Sequence, residues 1–422
     1  MNQFAFKCLL FAAFLSNFEL CHAQEYYKII NDGSYLASGD SINGKRHGFW
    51  FFKDKNQKLY ASGYYQHGEQ DSLWMRYKNR ILVEAVYLKN GLRNGAYYSY
   101  DNYGIIISQA KYQNDILNGK YYEYYDSGII GLLGKYIDGK KDSIWTEYNE
   151  YGHETTLKSY KENLPNGKWT YYYSSTRIER VEAYEAGIKT GMWQEFYYNK
   201  NPKTTYHYAA NQLNGEYKEY YKEGGISVEG KYKNGLKSGL WASRSNIDVV
   251  YSIGRYRNGQ KIDVWKYFDD AGTLASEGSY KNDLKYGQWI LYYPSGKLKS
   301  IGSYENDLKA GLWGHFYENG QLIQDENWKN GTLQNISSYY SIKGEELDKG
   351  TFKNGYGNRM TYYITGELSG LESYNNGIAE GKWIKYYENG KIESEGSYLN
   401  NIQSGRWQYY NKRGKLVGTK KF

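Results

Sequence analysis

The stretch Trp289-Ile-Leu-Tyr-Tyr-Pro-Ser-Gly-Lys-Leu-Lys-Ser-Ile-Gly-Ser-Tyr304 decides how this chain folds. Two short aromatic-rich runs flank a turn that contains Gly296. A second turn, Asn306-Asp-Leu-Lys-Ala-Gly311, leads to the next tryptophan, Trp313. Aromatic runs divided by Gly, Asn and Asp read as a β-hairpin. Helix is a poor alternative, because Gly recurs every few residues and no helical apolar stripe persists.

The same hairpin recurs on both sides. Trp145, Trp169, Trp193, Tyr217, Trp241, Trp265, Trp289 and Trp313 are each 24 residues apart. Upstream the register passes through Tyr121, Tyr97, Trp74, Trp50 and Tyr26; downstream it passes through Ile336, Arg359, Trp383 and Trp407. That makes 17 units of 23–24 residues, covering 24–422 as one continuous repeat domain. The expected fold is all-β: an elongated array of antiparallel hairpins forming a single-layer twisted sheet. Repeats of this kind are stabilised by stacking on their neighbours, since one unit buries too little to stand alone.

Counting from the Trp position as zero, a four-residue turn at +5 to +8 sets +4 opposite +9, and zero opposite +13. Position +13 is Gly in eight units, among them Gly134, Gly278 and Gly302. A large ring there is expected to lie across a strand that has no side chain. Side chains alternate along a strand, so +3 points away from the Trp face. An aromatic stands at +3 in fourteen of the seventeen units, which gives both faces an aromatic stripe. The Trp face reads as the structural one. The +3 row reads as the candidate binding surface, through Tyr124, Tyr148, Tyr172, Tyr220, Tyr292, Tyr362 and Tyr386.

Composition supports this picture. The chain has 53 Tyr, 48 Gly and 12 Trp in 422 residues, and a mean hydropathy of −0.84. A disordered chain would share the low hydropathy but lack the rings. Net charge is +8, with Lys and Glu interspersed, which reads as a solvated surface with some attraction for anionic partners.

Lys7, the short apolar run from Cys8 to Leu15 and the small-residue site Cys21-His22-Ala23 read as an export signal, residues 1–23, cleaved after Ala23. Both cysteines lie in it, so the mature chain is expected to carry no disulfide. Leu20 before Cys21 argues against lipidation. No later stretch reaches transmembrane length. The expected location is secreted, periplasmic or envelope-associated.

Units such as Asn234-Gly235 leading to Gly239 and Trp241, or Trp383 followed by Asn389-Gly390, resemble MORN repeats. They are closest to the bacterial form Asn-Gly-x-x-x-Gly-x-Trp-x-x-Tyr-Tyr-x-x-Gly, often labelled an antitoxin component. The resemblance covers residues 24 to 422. It implies a one-layer antiparallel sheet with an aromatic groove, and roles in protein association or lipid contact. An export signal departs from a cytoplasmic antitoxin role.

No chemistry stands out. His47, His67, His153, His207 and His315 are scattered without metal-ligand spacing. Asp269-Asp270 and Glu345-Glu346 sit near turns, and nothing makes either a converging pair for glycoside hydrolysis. The glycines follow the hairpin period, and no G-x-S-x-G element occurs. No catalytic, metal or cofactor site is assigned. Ile336 and Arg359 replace Trp in adjacent units, and Trp328 stands outside the register; this segment reads as a degenerate repeat, or else as a docking kink around 325–360. The expected function is an exported, non-enzymatic scaffold with a protein partner. Glycan or anionic lipid is the next choice, and nucleic acid is disfavoured by export. The alternatives are an antitoxin or immunity-type inhibitor and an envelope enzyme acting on glycan.

Overall fold

The structure, a computed structural model, describes the backbone of residues 25–30 and 33–422, with side chains from Leu36 onward. The expected export signal lies outside the described residues. The described elements are all strands. The chain divides into two compact units, residues 1–200 and 201–422.

In the first unit, strands from Glu25–Ile30 to Gly191–Phe196 succeed one another as an antiparallel meander, each paired with its sequence neighbour when a strand split by a bulge, such as Ile188–Lys189 with Gly191–Phe196, is counted as one. In the second unit the same meander runs from Pro202–Ala209 to Thr332–Ile336. A two-stranded ribbon, Tyr339–Tyr340 with Glu346–Leu347, comes next. Six strands from Gly357–Tyr362 to Leu416–Lys421 complete the unit.

The unit around Trp289 shows why the residues take these places. Glu305 pairs with Leu308, so the second turn is only Asn306 and Asp307, both at positive φ (51° and 67°). Two central residues of this kind form the turn whose twist matches antiparallel strands, and Asn and Asp tolerate it best. The first turn departs from the expected pairing. Tyr292 at +3, not Tyr293 at +4, faces Leu298 at +9, and Lys299 is left over as a bulge. Tyr293 instead opens the turn: its N–H donates to Lys297 O (2.8 Å) and its carbonyl accepts from Gly296 N–H (2.8 Å).

Trp289 pairs with Gly302 of its own unit, as expected, and also with Gly278 of the unit before. Its ring covers the second of these. A Cβ built on Gly278 would lie 2.2 Å from the Trp289 ring, and Gly134, Gly230, Gly254, Gly302 and Gly396 meet the following tryptophan in the same way. The indole N–H then reaches the carbonyl ten residues back, Ser279 O at 3.2 Å. That carbonyl is open because a bulge at −2 interrupts the ladder there, which shifts between Gly278 and Ser279. The bulge explains the glycines at −2. They hold positive φ, as at Gly287 (69°), and so do the residues that replace Gly there, Ser143 (60°) and Asp263 (57°).

Tyrosines at +15 fill the gaps between tryptophans edge-on: Tyr280 to Trp289 at 5.3 Å, Trp289 to Tyr304 at 6.0 Å, Tyr304 to Trp313 at 5.0 Å. Edge-to-face contact is the favoured geometry for aromatic rings. A lysine at −4 lies over Trp241, Trp265 and Trp289: Lys237, Lys261 and Lys285 stand 4.2, 4.4 and 4.5 Å from the ring centroids. One face of the sheet is here a closed aromatic ladder with a cationic cover. Trp145, Trp289 and Trp313 are only 2–3 % exposed.

Candidate binding surface

The +3 row is different. All seven candidate tyrosines, Tyr124, Tyr148, Tyr172, Tyr220, Tyr292, Tyr362 and Tyr386, are half-buried. Some engage their hydroxyls within the sheet. Tyr292 donates to Glu277 (2.9 Å), Tyr124 to Gln109 (3.2 Å) and Tyr362 to Asp348 O (2.6 Å). Glu277 and Gln109 stand at +12 of the preceding unit, so +3 and +12 form a second cross-unit row on this face. Burial pushes the phenols of Tyr124, Tyr172 and Tyr292 up, with Glu277 adding to the effect at Tyr292; all stay neutral donors. Tyr124 and Tyr148 line one open groove together with Leu132 and Thr155. Aliphatic residues at −1 share this face by alternation and are exposed: Ile144, Leu240, Val264 and Leu312.

The tyrosines at +4 have a role that sequence reasoning missed. Their hydroxyls donate to the +3 carbonyl of the next unit: Tyr125 to Tyr148 O, Tyr221 to Arg244 O, Tyr293 to Phe316 O and Tyr387 to Tyr410 O, at 2.7–2.8 Å. Where +4 is Asp or Asn, the side chain caps its own turn instead, as Asp269 does by accepting from the N–H groups of Ala271 and Thr273. The signal is the double Tyr-Tyr at +3 and +4. Alternation alone places +4 on the Trp face, because the bulge that turns it out of the strand does not show in the sequence.

The irregular segment holds a buried ionic cluster. Glu326 and Glu372 occupy +13, where eight units have Gly, and Arg359 occupies a Trp position. Arg359 Nη2 lies 2.9 Å from Glu326 Oε1, and Lys309 Nζ and His315 Nε2 lie 3.3 and 3.1 Å from Oε2. Trp328 Nε1 donates to the same oxygen (2.8 Å), which accounts for the out-of-register tryptophan. Burial pushes the Glu326 carboxyl up, but the close approach of His315, Arg359 and Lys309 outweighs it and holds it well below the usual range. Glu372 goes the other way: burial raises it, offset only in part by Arg359 and the Tyr374 hydroxyl. Beside the cluster, Leu333, Ile336 and Phe352 form a small apolar core. Backbone bonds from Leu333 N–H to Gly377 O (3.1 Å) and from Gly355 N–H to Gln334 O (2.8 Å) close the interruption in the sheet.

Ser300 Oγ lies 2.8 Å from His315 Nδ1, so a hydroxyl, an imidazole and Glu326 stand in line. The order is that of a nucleophilic relay. The hydroxyl is on a residue only 6 % exposed, and the carboxylate is engaged by Arg359, Lys309 and Trp328. The line therefore reads as structural. Among the described residues no three His, Cys, Asp or Glu side chains are grouped to hold a metal ion, and no helix is long and apolar enough to cross a membrane.

A family model for the MORN repeat variant matches residues 213–234, 264–282, 285–306, 310–339 and 379–400. The matched segments are MORN repeats. The matched MORN units all fall in residues 201–422, but those before residue 200 share the same frame, with Trp50 on Gly39, Trp74 on Gly63 and Trp145 on Gly134. No curated protein matches this chain. Among solved structures, the crystal structure of TcdB2-TccC3 aligns with 94 % of the chain at 10 % identity, with a TM-score of 0.15. The chain spans 30 % of that one's length.

Proposed function

We propose that the protein is an exported, non-enzymatic binding scaffold that presents its repeat surface to a partner protein. The observation that carries this is the contrast between the two faces. On the Trp face most rings are buried in contacts between units. On the other face a half-buried tyrosine row runs beside exposed aliphatics, and the residues between them change from unit to unit: Thr146 and Thr170 at +1 give way to Ala242 and Lys266. A constant frame with variable, amphipathic contact groups suits protein recognition, where rigid Tyr rings supply area at low entropic cost.

The test is capture from envelope and extracellular fractions of the native host, with residues 24–422 as bait beside a variant carrying Tyr172→Ser, Tyr220→Ser and Tyr292→Ser. A stoichiometric protein retained by the parent and lost by the folded variant is the expected result. Equal capture by both removes the tyrosine row from the reading. Recovery of protein that still carries residues 1–23 contradicts export.

A further inference from the structure

The Trp face is closed by a −4 lysine in four successive units of residues 201–422, but not in the last two. Ala379 and Gln403 stand where Lys237, Lys261, Lys285 and Lys309 lie over their rings. In the same place Glu372 takes the +13 position opposite Trp383, so no glycine receives that ring. Trp383 is left half-buried, whereas Trp289 is 3 % exposed. Its indole N–H is still anchored on Ser373 O (3.1 Å) and its ring packs against Tyr374 and Tyr398, so the ring is held in place while part of it stays open to solvent.

An open groove of about 470 Å³ forms over this gap. Trp383, Tyr398 and Trp407 line it, with Trp383 and Tyr398 rings 4.6 Å apart. Of the other uncharged and acidic polar side chains in its lining, Thr361 and Ser369 bond each other (3.0 Å) and Tyr363 donates to Tyr386 O, which leaves Glu372, Ser394 and Gln403. The side chains of Ser394 and Gln403 have no hydrogen-bond partner among the described residues, and Glu372 is bonded through Oε2 alone, by the Tyr374 hydroxyl (2.9 Å). The one lysine in the lining, Lys385, is neutralised by Glu393 at 3.0 Å.

From these features we infer that the groove over Trp383, Tyr398 and Trp407 binds a neutral glycan. The half-buried rings of Trp383 and Tyr398 offer apolar platforms for the C–H face of a pyranose, with the more deeply buried Trp407 beside them. The Ser394 hydroxyl, the Gln403 amide and the remaining carboxylate oxygen of Glu372 beside them match the sugar's ring of hydroxyls, each of which both donates and accepts. The lack of an unpaired cation in the lining disfavours phosphate headgroups and acidic polymers, which need positive charge. The site is distinct from the +3 tyrosine row, so it stands or falls separately from the protein-partner reading.

The test is calorimetric titration of the full mature chain with cellohexaose, chitohexaose and xylohexaose, with polygalacturonate as the charged control. The expected result is saturable binding of at least one neutral oligomer, insensitive to salt and weakened by about tenfold or more in Trp383→Ala. Gln403→Lys is the second variant. It restores the lysine that four earlier units carry at −4, so it keeps the fold, and it should weaken binding to a similar extent by covering Trp407 and removing the Gln403 amide. It decides the matter if Trp383→Ala fails to fold. No binding of any neutral oligomer, binding that both folded variants retain, or salt-sensitive binding of polygalacturonate alone would each overturn the assignment.

Discussion

At the scale of single residues, glycine does two different jobs in this chain, and substitution separates them. Gly278 leaves room for the Trp289 ring; Gly418 has no neighbour within 4 Å of a built Cβ. Gly278→Ala must push the ring off the strand and break the Ser279 bond, at a cost of about 1–3 kcal/mol for overpacking. Gly418→Ala meets nothing and restricts the unfolded chain, so it should be neutral or slightly stabilising. Urea melts followed by tryptophan fluorescence check both; equal midpoints would mean that the ring is not held by the glycine. The Trp–Gly pairing was legible in the sequence, because the spacing of thirteen residues is fixed by the hairpin. Which glycine carries the ring was not, since Trp289 is flanked by Gly278 and Gly302 alike. Nor does the sequence show why glycine recurs at −2: only the positive φ of Ser143 and Asp263 shows that the backbone is what selects it.

At the scale of elements, the interruption between Thr332–Ile336 and Gly357–Tyr362 replaces an aromatic contact with charge. Glu326 is the pivot, with Lys309, His315 and Arg359 facing it and Glu372 beyond Arg359. Glu326→Gln removes the carboxylate charge and leaves Arg359 underpaired in a site where its side chain is only 15 % exposed. Breaking a buried pair in this way costs about 3–5 kcal/mol. Glu326 is held low in the folded state, so its contribution is present above the unfolded glutamate value of about 4.3 and is lost as pH falls below it. The gap between parent and Glu326→Gln should therefore be wide at pH 7 and narrow towards pH 3. Glu372 is raised instead, so its ionised form is a burden at neutral pH, and Glu372→Gln should cost little at pH 7. Denaturant midpoints across pH read both; a gap at Glu326→Gln that stays constant would remove the cluster from the account. The sequence marked this segment through its broken spacing, but not the cluster. Glu326 and Arg359 meet across an irregular connection whose path no repeat dictates, and a Glu in the glycine position looks like decay when its partners are unknown.

At the scale of the molecule, every described strand pairing joins sequence neighbours, counting a strand split by its −2 bulge as one, and the pattern returns after two strands. Removing residues 241–264 deletes one whole period, and Trp265 then falls where Trp241 stood. The remaining units should keep their strand content and cooperative melt. Removing 253–264 alone deletes half a period, which reverses the direction of the downstream strands relative to their new neighbour and should unfold the adjoining units. Circular dichroism and hydrogen exchange distinguish the two; an intact fold in the half-period deletion would show that the frame is not two strands long.

The direction of the tryptophan contact carries a further consequence. Each ring seated on a glycine uses one that precedes it in the chain, never one that has yet to be made. A hairpin can therefore lock onto finished structure as soon as its own residues are available, without waiting for the rest. A chain passed through a narrow opening from its N-terminus can thus be built hairpin by hairpin at the exit, with one unlatched edge at a time.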